Sequence, residues 1–507
     1  MLGTVEILLI ICGLIICLLY YYLTASYNFW KKFNIPGPTP ILFFGTMKDV
    51  ILGKVLIGEY LKNLYDAYEN TPFVGIFNMR EPILMIKDPE YIKDVFIKDA
   101  ELFPHRGDFT VEVELINHSI FLANGTIAHH LKSKISPILT PNKLKNMFHM
   151  ILKSMERLDN YIEKLLRRNS HEINCSDMTF KLTLDMAGNI FLGIDLKTLT
   201  KGTIEGNEIF TFYKMMRGTF WSYLTKTIMR KTSSQLYNWI NNYLFNDAKT
   251  TQNLIDFIFN IMKYREEYGF VKSDAINIIM ELKKNHKHFA EILGTTNITD
   301  EFIAAQVYAL FYAGYESSGM TISFTLYELA LNQNVQDKLR EEIRDMYARN
   351  NNEMHFESIN TMPYLIAVIK ETLRKYPIAN SIQREALSSY TFKNTNITVP
   401  KNQKIVIPLY AFSYDPKIYP QPEIYNPKRF MDQTEQNSKY FFSFGHGPRS
   451  CIGERLGMLQ VKIALIGILH NYKFDVCEKT VTSFKYYSTK LVEIPDEDIF
   501  LKMTKIN

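Results

Sequence analysis

Cys451 has the neighbours that most favour chemistry, because it lies in the glycine-rich stretch FGHGPRSCIG at 444–453. Phe444 stands seven positions before the cysteine and Arg449 stands two before it. Apolar residues then recur at steps of three and four, which predicts a helix directly after the stretch. These residues are Leu456, Leu459, Ile463 and Ile466. A cysteine at a helix N-terminus lies at the positive end of the helix dipole, beside N–H groups that stabilise a thiolate.

Because glycine has no side chain, the backbone of this stretch can lie close to a large, flat group. Backbone N–H groups aimed at a thiolate set how much electron density the sulfur gives to a metal. These features together predict a thiolate ligand to haem iron. The structural alternative is that the lone cysteine is a small buried hydrophobe.

The stretch resembles the haem loop of the cytochrome P450 superfamily, Phe-x-x-Gly-x-Arg-x-Cys-x-Gly, at every defining position. The matching residues are Phe444, Gly447, Arg449, Cys451 and Gly453. The resemblance implies that Cys451 ligates the iron of haem b and that the other four residues surround the cofactor. It also implies a mainly α fold with a minor β-sheet portion.

A long helix is predicted over 304–332, with the unusual sequence AGYESS in its middle. Glycine inside a helix costs about 1 kcal/mol relative to alanine, so Gly314 needs a packing reason or a functional one, such as room for dioxygen. Glu316 and Ser317 are an acid and an alcohol, which can hydrogen-bond activated oxygen and connect it to a proton source. Their structural alternatives are a solvated helix charge and a serine bonded to its own helix.

The superfamily carries Ala/Gly-Gly-x-Asp/Glu-Thr-Thr/Ser at this place, which implies catalytic roles for Gly314, Glu316 and Ser317. Ser317 stands where threonine is usual. The hydroxyl is retained, but the methyl group that restrains its rotamer is absent. We therefore expect weaker coupling of oxygen reduction to product formation.

Glu371 and Arg374 are one helical turn apart, so their side chains lie on one face. Glu341 and Arg344 repeat the spacing and are expected to be an exposed pair. Only the first pair is followed by Tyr-Pro and, further on, by Arg429 in the sequence PKRF. In the superfamily this arrangement implies a buried charge network of Glu371, Arg374 and Arg429 that serves folding and haem retention.

The two haem propionates need cationic partners, and Arg449 and Arg384 are the candidates. The superfamily takes a third contact from Trp-x-x-x-Arg in an early helix. The corresponding residues here are Ala128 and Lys132. Lys132 supplies charge without the bidentate fork of arginine, and His129 could compensate.

Residues 7–23 are uncharged and almost wholly apolar. As a helix they span about 26 Å, close to the hydrocarbon thickness of a bilayer. Glu6 precedes the run, and Lys31 and Lys32 follow it, which favours an uncleaved anchor with the bulk of the protein on the cytoplasmic side. A cleaved secretory signal ending near 24–26 is the alternative. The superfamily's microsomal members imply the endoplasmic reticulum membrane.

Three segments are predicted: a membrane anchor at 1–28, a proline-rich hinge at 29–50 and one haem-thiolate monooxygenase domain at 51–507. The prolines cannot continue a helix and predict a stiff, extended hinge. A strand hairpin is expected at 73–78 and 83–87, followed mainly by helices, with loops near 103–126 and 218–232.

The net charge of +5 comes from 58 basic and 53 acidic residues, and so small an excess does not suggest nucleic-acid binding. The five cysteines are unevenly spaced, which argues against a disulfide scaffold and for a reducing compartment. The sequence contains no Cys-x-x-Cys pair, so the cysteines do not indicate a zinc site.

Substrate contacts are expected from apolar and aromatic segments, which suit a lipophilic molecule. They are 109–122, 211–223, Tyr308, Phe311 and 379–382. Core packing is the alternative for each aromatic residue, and Phe220 and Trp221 could instead dip into a membrane surface.

The stretches at 92–99, 106–107, 264–267 and 272–274 resemble the insect microsomal branch of the superfamily, whose best-known enzymes detoxify plant compounds and insecticides. We therefore expect a monooxygenase that inserts one oxygen atom of O₂ into small lipophilic xenobiotics or endogenous lipophiles. No Gly-x-Gly-x-x-Gly follows a strand, so electrons must come from another protein. The resemblance implies NADPH–cytochrome P450 reductase, with cytochrome b5 as a further donor, near Lys439 and Arg455.

Three alternatives stay open. A haem-thiolate isomerase or dehydratase would act on lipid peroxides without external electrons. A catalytically weak haem-binding protein is motivated by Ala128 and Ser317. A membrane scaffold without haem would make the cysteine loop a coincidence.

Overall fold

The computed structural model describes ten stretches of the chain. They are residues 3–107, 114–123, 125–167, 171–200, 247–272, 274–284, 290–291, 298–431, 439–486 and 495–506. The expected substrate segment 211–223, the expected loop at 218–232 and part of the segment 109–122 lie outside them.

The helices and strands are numbered here in chain order. The α-helices are α1 (Thr4–Thr24), α2 (Lys48–Ile51), α3 (Ile57–Ala67), α4 (Pro89–Lys93), α5 (Gly125–Ile135), α6 (Pro141–Arg167), α7 (Cys175–Ala187), α8 (Asp247–Tyr268), α9 (Ala275–Lys284), α10 (Asp300–Leu331), α11 (Gln333–Arg349), α12 (Pro363–Lys375), α13 (Leu409–Ser413) and α14 (Glu454–Asn471). The strands are β1 (Phe73–Asn78), β2 (Glu81–Ile86), β3 (Glu172–Asn174), β4 (Ile382–Glu385), β5 (Tyr390–Thr391), β6 (Thr398–Val399), β7 (Lys404–Ile407), β8 (Tyr472–Asp475) and β9 (Phe500–Lys505). Short 3₁₀ or π turns occupy Trp30–Phe33, Asp94–Lys98, Ala100–Leu102, Glu114–His118, Ser136–Leu139, Gly188–Leu192, Ser358–Thr361, Pro427–Phe430 and Gly447–Arg449.

The chain forms two compact units. The first comprises Met1–Gly107 and Asn380–Ala411, and the second comprises Asp108–Ala379 and Phe412–Asn507. The membrane anchor at 1–28, the hinge at 29–50 and the monooxygenase domain at 51–507 remain predictions from the sequence.

The first unit is built on a four-stranded sheet in the order β1-β2-β7-β4. The predicted hairpin is present, because β1 and β2 pair antiparallel from Phe73 opposite Ile86 to Asn78 opposite Glu81. Its second strand starts two residues earlier than expected. Strand β7 adds parallel to β2 and β4 adds antiparallel to β7.

The predicted hinge is fastened to strand β1. The indole N–H of buried Trp30 donates to the carbonyl of Ile76 at 3.0 Å, and the N–H of Gly75 donates to the carbonyl of Pro36 at 2.8 Å. A Cβ on Gly75 would overlap the Trp30 ring, and a Cβ on Gly37 would overlap the Gly75 backbone. The close approach therefore requires glycine at both positions, and the segment is a docked strap.

Helix α1 is the one described helix that is long and apolar enough to cross a membrane. Its mean hydropathy is 2.5 over the most apolar window, and none of its side chains is buried. This agrees with the length and composition expected of an anchor, which a signal sequence shares.

Helix α10 runs through the core of the second unit. Its first turn is capped by Thr299, whose hydroxyl accepts from the N–H of Phe302 at 3.1 Å, and Asp300 and Glu301 complement the helix dipole there. The helix begins four residues before the predicted start. It is unbroken through 313–318, because all its residues keep helical geometry despite the glycine.

Helix α14 starts three residues after Cys451, as the periodicity predicted. The four periodic residues Leu456, Leu459, Ile463 and Ile466 are all buried. Beyond it, β8 pairs with β9, and β9 also pairs with β3, in a three-stranded sheet. The helix is thus tied at its C-terminal end and presents its N-terminal end to the cysteine loop.

Candidate functional site

The cysteine loop is closed by its own backbone. Gly445 and Gly447 have φ values of 66° and 73°, a left-handed conformation that favours glycine. The N–H of Cys451 donates to the carbonyl of Phe444 at 2.8 Å, and the N–H of Ser450 donates to that of Gly447 at 3.0 Å. The thiol is left exposed at the N-terminus of α14. The alternative of a buried hydrophobe at Cys451 is therefore wrong.

Helix α10 has one open spot in an otherwise enclosed surface. Between Ile303 and Ala330 every residue is buried except Ala313, Gly314 and Ser317. Steps of one, three and four place these residues on one face. Within 303–330 the helix is therefore accessible at this one face in its middle, where a bound molecule can reach it.

Helices α10 and α14 contact each other beside this open face. The hydroxyl of Ser318 donates to Oε1 of Gln460 at 3.0 Å, and both residues are buried. A Cβ on Gly457 would lie 3.8 Å from the Ser318 hydroxyl. The contact therefore joins the turn of α10 that carries Ser317 to the first turns after Cys451. The sequence analysis missed Ser318 and Gln460, and the only sequence signal for them is proximity to the two motifs.

The acid and the alcohol of α10 have different surroundings. The Ser317 hydroxyl donates to the carbonyl of Ala313 at 2.8 Å, which is the back-bonded arrangement of a helix serine. Glu316 is 3% exposed, so a solvated charge there is wrong. Burial raises the pKa of Tyr312 well above its usual value, and the charge of Glu316, which also hydrogen-bonds the phenol, raises it further. Glu316 is thus paired within the core while Ser317 borders the open face.

Gly314 has a packing reason. A Cβ on this residue would overlap the aromatic ring of Phe191, which lies in the π turn after α7. The space of the missing side chain is therefore filled by Phe191 rather than left for dioxygen. The residue still borders the open face through its backbone.

Replacing Gly314 with alanine is expected to destabilise the protein by about 1–3 kcal/mol, because the new methyl group overpacks against Phe191. This overrides the gain of about 1 kcal/mol that alanine gives in a helix. Urea unfolding of the holoenzyme measures the change. Gly457→Ala is the matched control, since its Cβ meets ordinary contact distances, and it should be neutral or stabilising. Equal stability of Gly314→Ala and wild type would refute the packing reason.

The structure brings Glu371, Arg374 and Arg429 together. Arg374 donates to both carboxylate oxygens of Glu371 at 2.8 and 3.0 Å, and Nε of Arg429 donates to Oε1 at 3.2 Å. Backbone carbonyls of Ser413 and Pro422 accept two further Arg374 hydrogen bonds at 2.7 and 2.8 Å. Burial alone would lower the pKa of Arg374, but the hydrogen bonds and charge of Glu371 outweigh it and raise that pKa.

Arg449, Arg384 and Lys132 were expected as cationic partners of the haem propionates. Arg449 and Lys132 lie in the same compact unit as Cys451. The Arg449 guanidinium donates to the carbonyls of Ile120, Phe121 and Ala123 over 3.4–3.5 Å, which is long for such bonds. Lys132 donates to backbone carbonyls of the cysteine loop.

Arg384 lies in the other unit, on β4. It is 3% exposed, and its guanidinium lies 4.9 Å from the ring centroid of Phe96. His129, the suggested substitute, is exposed, whereas Ala128 is buried. Glu341 and Arg344 are exposed, as expected of a surface pair.

The described substrate candidates are mostly packed. Tyr308 and Phe311 are 4% and 5% exposed on α10. Gln306, which the sequence analysis missed, accepts from the N–H of Ile120 and donates to the carbonyl of His118, both at 2.8 Å. This residue fastens the described part of the segment 109–122 to α10. Of the segment 379–382, Ile382 opens strand β4.

These residues fit a haem. An exposed thiol on a glycine-turned loop is a donor that haem iron takes from a protein, and the half-buried Arg449 on the same loop is a partner for a propionate. One exposed cysteine before a helix N-terminus, on a loop that also carries a propionate partner, is the ligand arrangement of the class of haem-thiolate proteins.

The comparison with known proteins agrees with this class. The cytochrome P450 family model matches residues 35–503. Cytochrome P450 6B4 of Papilio glaucus is 32% identical over 508 residues, covering 98% of this chain and 99% of the relative. Cytochrome P450 6j1 of Blattella germanica is 31% identical over 486 residues, covering 94% and 93%. The chain belongs to the cytochrome P450 family.

Membership of this family settles the class of reaction and the cofactor. The protein is a monooxygenase of the oxidoreductase class that binds haem through a cysteine thiolate. The predicted fold class is confirmed by the family match. The predicted insect branch is confirmed as well, since a third insect relative, probable cytochrome P450 6w1 of Drosophila melanogaster, is 30% identical over 521 residues. A scaffold without haem is thereby excluded.

Proposed function

We propose that Cys451 is the thiolate ligand and that the protein oxidises small lipophilic xenobiotics, or endogenous lipophiles, with electrons from NADPH. One observation carries the proposal: the exposed Cys451 thiol precedes the helix whose Gln460 is bonded to Ser318, beside the open face of α10. Haem bound there supplies the iron that activates dioxygen, and the thiolate pushes electron density towards it.

Ser317 handles the proton at this face. Its Oγ borders the open spot and, among the described residues, bonds within its own helix turn to the Ala313 carbonyl. A rotation about one bond turns the hydroxyl from that carbonyl towards the open space, and serine allows this rotation more freely than threonine. Glu316 acts behind it, through the buried pair with Tyr312.

The remaining site residues hold the cofactor. Phe444, Gly447 and Gly453 shape the loop, and Arg449 neutralises a propionate. Arg384 stays a propionate partner predicted from the family resemblance. The network of Glu371, Arg374 and Arg429 keeps the fold around the cofactor.

Apolar surface selects the substrate. Tyr308 and Tyr312 stack at 6.1 Å between ring centroids, and Phe311 lies 5.2 Å from the ring of Tyr315. This aromatic row lies within about two and a half turns before Ser317 on the same helix. It favours lipophilic molecules over charged ones.

The membrane and the electron donor complete the proposal. Helix α1 anchors the chain in the endoplasmic reticulum membrane, with the rest of the protein on the cytoplasmic side, since Lys31 and Lys32 follow the helix. Lys439 and Arg455 are exposed in the unit of Cys451 and suit an acidic face of NADPH–cytochrome P450 reductase. Cytochrome b5 would use the same charges.

Full-length protein in phospholipid vesicles is expected to oxidise a lipophilic test compound only when reductase, NADPH and oxygen are all present. Omitting the reductase should reduce product to the background, because the sequence has no Gly-x-Gly-x-x-Gly after a strand to bind the dinucleotide. Product and NADPH consumption are measured together. Turnover of a lipid hydroperoxide without NADPH would favour an isomerase or dehydratase. NADPH consumption at background for every compound tried would favour a catalytically weak haem-binding protein.

A further inference from the structure

Lys132 contacts the cysteine loop itself. Its ammonium donates to the carbonyl of Pro448 at 2.8 Å, to the carbonyl of Ser450 at 3.1 Å and, more weakly, to the Ser450 hydroxyl at 3.4 Å. An ammonium has three N–H donors, so it can bond to several acceptors of the loop at once. The side chain is half-buried on α5, which holds it in place.

Lys132 bonds to carbonyls at the end of the loop's short helical turn. Residues 447–449 form a single 3₁₀ turn, in which the N–H of Ser450 bonds to the carbonyl of Gly447. So short a turn satisfies few of its own carbonyls, and a lysine ammonium is a good donor for carbonyls at a helix end. Lys132 therefore closes the loop from outside on both sides of Arg449.

We propose that Lys132 is a positioning residue for Cys451, whose ammonium fixes the loop that carries the thiol, in place of the propionate contact that the resemblance implied. The inference rests on the proposed ligation by Cys451. A positive charge held at the carbonyl next to the cysteine also offsets the negative charge of a thiolate. Arginine would carry the charge, but its flat fork matches carboxylates better than this cluster of carbonyls.

The test compares full-length holoenzymes of wild type, Lys132→Met, Lys132→Arg and Lys134→Met. Lys134 is exposed on the same helix, so its replacement removes the same charge without touching the loop. Three quantities are measured: haem content, the haem reduction potential, and the lifetime in mild urea of the red-shifted Soret band of the reduced carbon-monoxide complex. That band reports thiolate ligation.

In Lys132→Met we expect the band's lifetime to fall about tenfold, since hydrogen bonds from a charged donor are lost. We also expect a more negative reduction potential, because the compensating charge is gone. Lys132→Arg should keep the potential and restore part of the lifetime, and Lys134→Met should match wild type. If Lys132→Met accumulates without haem, Lys132→Gln makes the same comparison.

A variant that loses haem while the haem that remains keeps the wild-type potential and band lifetime would overturn the inference and favour a propionate contact. Absence of the red-shifted band in wild type would be a different failure. It would overturn ligation by Cys451, and this inference with it.

Discussion

Cys451→Ala is expected to lose the red-shifted Soret band of the reduced carbon-monoxide complex completely, and with it all NADPH-dependent oxidation. The loop is closed by backbone hydrogen bonds and by two glycines with left-handed geometry, none of which needs the thiol. The exposed side chain can therefore be removed without disturbing the fold. Cys175 cannot replace it, because that thiol is fully buried and burial raises its pKa far above the usual value.

Cys477→Ala is the matched control for this change. Cys477 is partly exposed in the same unit, near strand β8, and takes no part in the cysteine loop. The variant should keep the band and the turnover of wild type. A red-shifted band that persists in Cys451→Ala, or disappears in Cys477→Ala, would show that the ligand was misassigned.

Glu371→Gln is expected to cost about 3–5 kcal/mol of folding free energy, because it leaves two arginine guanidiniums without their carboxylate. Arg374 is 1% exposed and cannot turn to water for compensation. Total stabilities of about 5–15 kcal/mol mean that such a loss removes a large share. We expect little holoenzyme to accumulate, a lower urea midpoint, and faster haem release from what is purified.

Glu341→Gln is the control for the network. It changes the same residue in the same Glu-x-x-Arg spacing, but at an exposed position of α11. Exposed pairs contribute about 0–1 kcal/mol, so stability and haem content should stay near wild type. Normal stability of Glu371→Gln combined with lost turnover would contradict a structural role and indicate a catalytic one.

Several features of this site followed from local sequence. The loop around Cys451 is a pattern of glycines and one arginine over ten residues, and the helix after it has strict apolar periodicity. Glu371 and Arg374 lie one turn apart, so their pairing is built into the helix. The hairpin of β1 and β2 needs only two residues of turn. Chemical groups that lie within a few residues of each other along the chain can be predicted from the sequence, because backbone geometry fixes which side chains are neighbours.

Other features depended on contacts between distant residues. Lys132 meets Pro448 across 316 positions, and Ser318 meets Gln460 across 142. The sequence predicted a positive charge at Lys132, but the carbonyls that accept hydrogen bonds from its ammonium come from a distant segment. The reason for Gly314 was likewise hidden, since Phe191 lies in a different helix and glycine alone suggests either packing or space.

The sequence by itself determined the class of chemistry, because a thiolate loop and its helix are local structures with few alternatives. Tertiary structure decided which side chains are buried in the core and which are accessible at the site. It buried Glu316, left Ser317 at the open face and docked the expected hinge on β1 through Trp30. Packing makes these choices collectively, since every side chain of α10 competes for the same enclosed surface, and no short pattern records the outcome of that competition.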